Sequence, residues 1–400
     1  MRKIAVFILS FFCLGNILAQ HPCFPVDSIP QYLKSGKDYE GACKGDPEAL
    51  TQFATSCRFS NPEISLLCFK NASEQGYSIA TVRLADLYLQ GLNGIQRDIE
   101  LAKHYYQVAL KQDVTGWTHF AYGYRCASGT LAKADIEQAK SYWLKGAEMG
   151  NLEAQCELAR FYYEGEYFEQ DYVEAKKWID KVLMQPAEPS AEYTKSTVRK
   201  MLADMYERGL GVEKSASNAF QVYLADSNWV KIAECYETGH GVKANVKKAL
   251  LYYEKVLANN FMEVDDACQR AVDFMEKNSK SNSGHIHFIL GEHYARQASL
   301  FDNRLAYDYR RQNGEYKSFY GASPLHDKVI ENWEISARSG YAKAISQLVD
   351  CYLTGNHVKS DTLKATEWLK FGASKTKDKD LLYSLRQRHV FPRLCYPPVD

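Results

Sequence analysis

Within one short stretch stand His285, His287, Glu292 and His293, residue types that bind metal ions. Their spacing argues against a metal centre. On a helix the first two histidines are two positions apart and point in different directions. Glu292 comes near His285 only after two turns, unlike the i, i+4 pair of an HExxH site. The phrases GLGV at Gly209 and GHGV at Gly239 look like fragments of a dinucleotide-binding loop. Such a loop needs a preceding strand, and the pattern around both phrases is helical, so they read as turns that end helices. The sequence has no GxSxG elbow and no glycine-rich loop closing on Lys and Ser or Thr. Neither a metal nor a cofactor is expected, and no catalytic residue is assigned.

A different chemistry is suggested by carboxylates that recur in register. Asp86, Asp204, Glu234, Glu292 and Asp350 each lie two residues before an aromatic in a repeated phrase, so five of seven copies are acidic there. If the copies stack, these side chains form a row that could receive a basic peptide or a cation-bearing ligand. A second candidate surface is Ser299 to Tyr320, which holds Tyr307, Tyr309, Arg310, Arg311, Tyr316, Phe319 and Tyr320. Tyr and Arg are the residue types enriched where proteins grip partners. The chain has 11 cysteines and no CxxC pair, which removes zinc-ribbon and thioredoxin readings. Cys57 and Cys68 fall on the two helices of one proposed pair, where a disulfide is sterically conceivable.

What must position these residues is a repeat. A small residue, an apolar residue four later followed by Ala or Gly, an aromatic four beyond that and often a Gly recur along the chain. The clear copies are Ala80, Leu84, Ala85, Tyr88, Gly91; Ala154, Leu158, Ala159, Tyr162, Gly165; Val198, Leu202, Ala203, Tyr206, Gly209; and Ala344, Leu348, Val349, Tyr352, Gly355. Weaker copies pass through Thr118, Ile232 and Ile286, and the i, i+4, i+8 spacing puts each set on one helical face. A second helix follows each Gly, as in Ala102 with Tyr105 and Tyr106, or Ala139 with Tyr142 and Trp143. Asp98, Asp135, Asp171, Ser215, Asn245 and Asp361 stand where they can cap those second helices. One pair cannot bury its apolar face alone, so pairs must stack.

The phrases LADLYLQG, LARFYYEG, LADMYERGLGV and CYETGHGV, with AKHYYQVAL, AKSYWLKGAEMG and ALLYYEKVL, resemble the Sel-one-like branch of the tetratricopeptide-like repeats. The resemblance covers about Ala49 to Ser374. It implies an all-α, right-handed α/α solenoid of stacked antiparallel helix pairs, and a scaffold that binds a protein or peptide. Some exported members of the family are cysteine-rich and are associated with penicillin binding or hydrolysis. That suggests an alternative, a weak cell-wall-directed hydrolase or a protein binding β-lactams or muropeptides. The regular bridging pairs of those members are missing here, where Cys126, Cys156, Cys235, Cys268 and Cys351 come mostly one per repeat.

Acidic and basic residues balance at 49 each, which gives no pull toward nucleic acid or anionic lipid. Met1, Arg2 and Lys3 followed by an apolar run to Leu18 and then Ala19 read as a signal peptide over 1–20, too short for a comfortable membrane span. The expected product is secreted or periplasmic, in a bacterial envelope, with no stable membrane insertion after cleavage. The remaining boundaries are an N-terminal segment over 21–48, repeats over 49–259, an extra helix and linker over 260–284, repeats over 285–374 with an insertion over 298–324, and a cap and tail over 375–400.

Overall fold

A computed structural model describes residue 34 and residues 37–91, 94–186, 188–259, 266–281, 283–315, 317–318 and 321–375. The expected signal peptide, the C-terminal cap and tail, and Tyr316, Phe319 and Tyr320 lie outside the described residues. Among those described, the chain is helical without strands and divides into two compact units between Lys214 and Ser215.

The first unit holds α1 (Lys37–Cys43), α2 (Pro47–Cys57), α3 (Pro62–Glu74), α4 (Ser78–Gln90), α5 (Ile99–Gln112), α6 (Trp117–Ser128), α7 (Ile136–Glu148), α8 (Leu152–Glu164), α9 (Tyr172–Met184) and α10 (Glu192–Arg208). The second holds α11 (Ala216–Ala225), α12 (Trp229–Thr238), α13 (Val246–Asn259), α14 (Asp266–Lys277), α15 (Ser283–Asn313), α16 (His326–Arg338), α17 (Ala342–Thr354) and α18 (Thr362–Lys375). Neighbours pack as pairs: α2 on α3, α4 on α5, α6 on α7 and α8 on α9 in the first unit, then α12 on α13, α15 on α16 and α17 on α18 in the second. The division falls between α10 and α11, the two halves of one sequence repeat.

Local chemistry explains where the helices begin and end. All six expected caps accept hydrogen bonds from the first turns of their helices, for example Asp98 from Leu101 N at 2.9 Å and Asp135 from Gln138 N at 2.9 Å. Ser215, Asn245, Asp171 and Asp361 do the same. The first helix of a pair stops on a left-handed residue such as Gly165, at φ 75°. Its aromatic then stacks on a tyrosine of the second helix. Tyr88 lies flat on Tyr105 with centroids 5.6 Å apart, and Tyr236 on Tyr252 at 5.8 Å.

Close packing inside each pair follows a size rule. The residue after the central apolar position of the first helix faces the fourth residue after the small one in the second. Gly123 faces Trp143 and Gly291 faces Trp333, so tightly that a Cβ would lie 2.5 Å and 2.4 Å from the respective indole rings. Where the first helix carries Ala85, Ala159 or Ala233, the second carries the smaller Tyr106, Ile179 or Tyr253. Interiors are packed at crystal density, so the two positions vary together.

The insertion expected over 298–324 is helical in its first part: α15 runs unbroken for 31 residues through Asn313. Ala298, Asp302 and Ala306 are buried at four-residue spacing, which continues the helical stripe past the repeat's usual end. At 1.5 Å per residue α15 is about 46 Å long, against about 20 Å for its partner α16. Its last turns therefore extend beyond the pair and leave Leu300, Phe301 and Tyr307 exposed.

Candidate functional site

The carboxylates in register are not an open row. Asp86 of α4 accepts from the Tyr106 hydroxyl of α5 and, at 2.7 Å, from Arg125 Nη2 of α6. Arg125 Nε in turn donates to the Tyr106 hydroxyl at 3.0 Å, so one acid ties two pairs together. In the next two copies the position is Tyr124 and Arg160, and both reach Glu157, at 3.0 and 2.9 Å. Asp204 accepts from the Tyr163 hydroxyl and from Arg208 at 3.0 Å. Burial first, and then Asp204, push the Tyr163 phenol up to about 12. In the second unit Glu234 pairs with Lys231 at 2.9 Å and Arg270 at 2.8 Å, while Asp350 sits half-buried on α17. Asp86, Asp204 and Glu234 are thus held by other parts of the chain, and Glu292 accepts from Gln347 at a long 3.4 Å. Tyr106→Phe should lower the stability of the first unit by about 1 kcal/mol in urea unfolding, the usual net worth of one such bond.

The conceivable bridge between Cys57 and Cys68 is not formed in this structure. Cys57 is a free thiol whose Sγ donates to Ala54 O at 3.6 Å, and burial raises its pKa to about 11. Both cysteines are fully buried and serve as small core residues. The four residues weighed for metal binding separate. His285 bonds Glu254 at 2.9 Å, His287 bonds Asn332 at 2.8 Å, and His293 is buried.

His293 Nδ1 is enclosed with no hydrogen-bond partner among the described residues. Burial, helped by Arg296, pushes its pKa down from 6.5 to about 4. Between those values the unfolded chain takes up a proton that the folded site refuses. Stability should therefore be full above pH 6.5 and fall as pH drops toward 4, by about 3 kcal/mol. Urea unfolding at pH 7 and pH 4.5 reads this directly, and His293→Phe should flatten the dependence.

Glu292 opens into a groove of about 380 Å³ in the second unit. Its lining comes from α15 (Ala295, Arg296, Ser299, Leu300, Asn303), from Trp333 of α16 and Gln347 of α17, and from His357 in the turn before α18. Burial raises the Glu292 pKa, with Arg296 and Lys343 opposing. Of the residues expected to bind on 298–324, Tyr307, Arg310 and Arg311 are exposed on the extension. Tyr309 is half-buried under Lys317, whose Nζ lies 5.5 Å from its ring centroid.

Beside the groove is a buried chain of polar groups that the sequence reading missed. Asp302 is 4 % exposed and accepts from Gly321 N at 2.7 Å, Ser323 N at 2.9 Å and His326 Nε2 at 3.0 Å. His326 Nδ1 lies 2.6 Å from His357 Nδ1. His357 has φ 62°, a left-handed backbone on a residue with a side chain. The equivalent residues of other copies are Gly211 at φ 63° and Gly241 at φ 69°. GNHV in place of GLGV and GHGV was the available signal.

A family model described as Sel1 repeat matches residues 78–114, 119–151, 152–181, 200–221, 230–259 and 342–376. The pairs α2 with α3 and α15 with α16 fall outside those segments yet pack in the same way. Among curated proteins, Chitin synthase regulatory factor 3 of Schizosaccharomyces pombe is 25% identical over 198 residues, 46% of this chain and 20% of that protein. The Exopolysaccharide production negative regulator of Rhizobium meliloti is 27% identical over 148 residues, 34% of this chain and 55% of its own. The chain thus spans a fifth and about half of these relatives. Among solved structures, c5321, a protective antigen of uropathogenic Escherichia coli displaying an SLR fold, aligns with TM-score 0.43 at 20% identity over 84% of this chain and 78% of that one. A Sel1 repeat protein from Oxalobacter formigenes aligns with TM-score 0.40 at 18% identity, covering 97% and 96%. With six matched segments and helix pairs that pack as those repeats require, the chain carries Sel1 repeats in an all-α fold, and such repeats typically serve in protein–protein interaction.

Proposed function

We propose that this protein is an exported, non-catalytic scaffold that binds a peptide segment of a partner in the groove between the α15 extension and α17. The observation that carries the reading is the extension itself. It departs from the repeat length, leaves Leu300, Phe301 and Tyr307 exposed, and borders the 380 Å³ groove. A concave site with an apolar wall of Ala295, Leu300 and Trp333 beside polar side chains is what a peptide site requires. Export rests on the charged start and apolar run of residues 1–20, and it places the partner in an envelope or outside the cell. The names of the curated relatives describe regulators, which suits a protein acting through partners. Selection of a displayed peptide library on the immobilised chain should enrich a common motif. Leu300→Asp, at an exposed position, should abolish retention of the enriched peptides with folding unchanged. Enrichment indifferent to Leu300→Asp would move the site elsewhere, and no enrichment at all would count against peptide binding.

A further inference from the structure

After α14 the chain makes one 3-10 turn (Ser279–Ser281) and enters α15 directly. The first helices α12, α15 and α17 are each followed by a second that packs on them, α13, α16 and α18, and α14 is not. Beside this shortened repeat a cavity of about 200 Å³ opens between α14, α15 and the start of α16. No residue that lines it lines the peptide groove.

The floor of the cavity mixes buried polar and apolar groups. His293 is 2 % exposed, stays neutral at pH 7, and its Nδ1 has no hydrogen-bond partner among the described residues. Gln297 is buried one turn further along α15, and Val272 and Leu325 supply an apolar wall. Buried polar groups in native proteins are paired with protein, water or ligand, so an unpaired imidazole on a cavity wall calls for an occupant with polar groups.

Above the floor two opposite charges stand apart. Glu276 of α14 accepts from the Tyr294 hydroxyl at 3.3 Å, and Lys328 Nζ of α16 lies 5.0 Å from the centroid of the same ring. Neither forms an ion pair, with the other or with any third residue, among the described residues. Burial first, and then Glu276, push the Tyr294 phenol up to about 12, with Asp273 and Glu331 adding to the effect. Asp273 accepts from Gln269 Nε2 at 2.7 Å, and Glu331 lines a neighbouring cavity instead of this one. The charges that line this cavity are therefore one anion and one cation on facing helices. A lone anion or cation would meet its own sign on one wall, whereas a dipolar ion meets the opposite sign on both.

We infer that the cavity binds a free α-amino acid with a compact apolar side chain, its ammonium at Glu276, its carboxylate at Lys328 and its side chain against Val272 and Leu325. At about 30 Å³ per water the cavity has room for about seven waters, which is close to the size of valine. Tyr294 is a positioning residue, whose hydroxyl and ring hold the two charges on their separate walls.

Calorimetric titration of the full chain with L-valine, isovalerate and isobutylamine tests the site, because the last two are valine without its ammonium and valine without its carboxylate. Valine should bind about tenfold tighter than either, the worth of one charge-assisted hydrogen bond. Glu276→Gln should bring valine down to the level of isovalerate and leave isovalerate unchanged. Lys328→Gln should bring valine down to the level of isobutylamine and leave isobutylamine unchanged. Both residues are exposed, so the melting temperature without ligand should hardly change in either variant. Equal affinity for the three probes, or no saturable binding of valine at millimolar concentration, would overturn the inference. So would tight binding of valine that neither substitution weakens, since the ligand would then lie elsewhere.

Discussion

Asp302→Ala is expected to destabilise the second unit by about 3 kcal/mol or more. The carboxylate is 4 % exposed and is the acceptor for three donors: Gly321 N, Ser323 N and His326 Nε2. Its removal leaves buried donors unpaired, and each such orphan costs about 1–3 kcal/mol. These bonds also tie the return loop from α15 to the start of α16. The loss should therefore appear as protease cleavage between 314 and 325 before the unit melts as a whole. Asp302→Asn keeps one acceptor oxygen and should fall between wild type and Asp302→Ala. Urea unfolding of the three proteins, with limited proteolysis, measures both effects.

The second large effect is expected from one added methyl group. In Gly123→Ala the new Cβ would lie 2.5 Å from the ring of Trp143, which is fully buried. An indole enclosed on all sides cannot turn away, so overpacking should cost about 2–3 kcal/mol. The size rule makes a sharper statement. Ala faces Tyr in the pair of Ala85 with Tyr106, so Gly123→Ala combined with Trp143→Tyr should recover much of the loss. A double-mutant cycle should give a coupling well beyond the 0.5 kcal/mol of independent sites. Additive effects would mean that the two residues do not form a matched set.

The repeat was legible because its signals are local. Apolar spacing, capping residues such as Asp98 and Asp135, and helix-ending glycines each act within a turn or two, and repetition averages out weak copies. The fate of the carboxylates was not legible, because it depends on neighbouring repeats. Asp86 reads as an open acid until Tyr106 and Arg125 are seen to converge on it from two other helices. The helical continuation of α15 into 298–313 was not legible for a related reason. Polar and aromatic residues after Gln297 masked a buried stripe carried by Ala298, Asp302 and Ala306, of which Asp302 is a charge that looks exposed in sequence. His357 did leave a trace, a histidine where two sister turns have glycine, although its partners Asp302 and His326 lie 55 and 31 residues away along the chain. Cys57 and Cys68 lie on paired helices as expected, and their bonding was not legible, since burial suits a thiol as well as a bridge.

The groove is the centre of the account, and site-specific photocrosslinking tests it most directly. Benzoylphenylalanine would be placed at Asn303, in the groove lining, and at Tyr193, an exposed position in the first unit. Each labelled chain would be irradiated with a peptide enriched by the wild-type protein. The expected result is an adduct at position 303 that excess unlabelled peptide removes, with none at position 193. An adduct at 193, or none at 303 under saturating peptide, would contradict the assignment of binding to the groove.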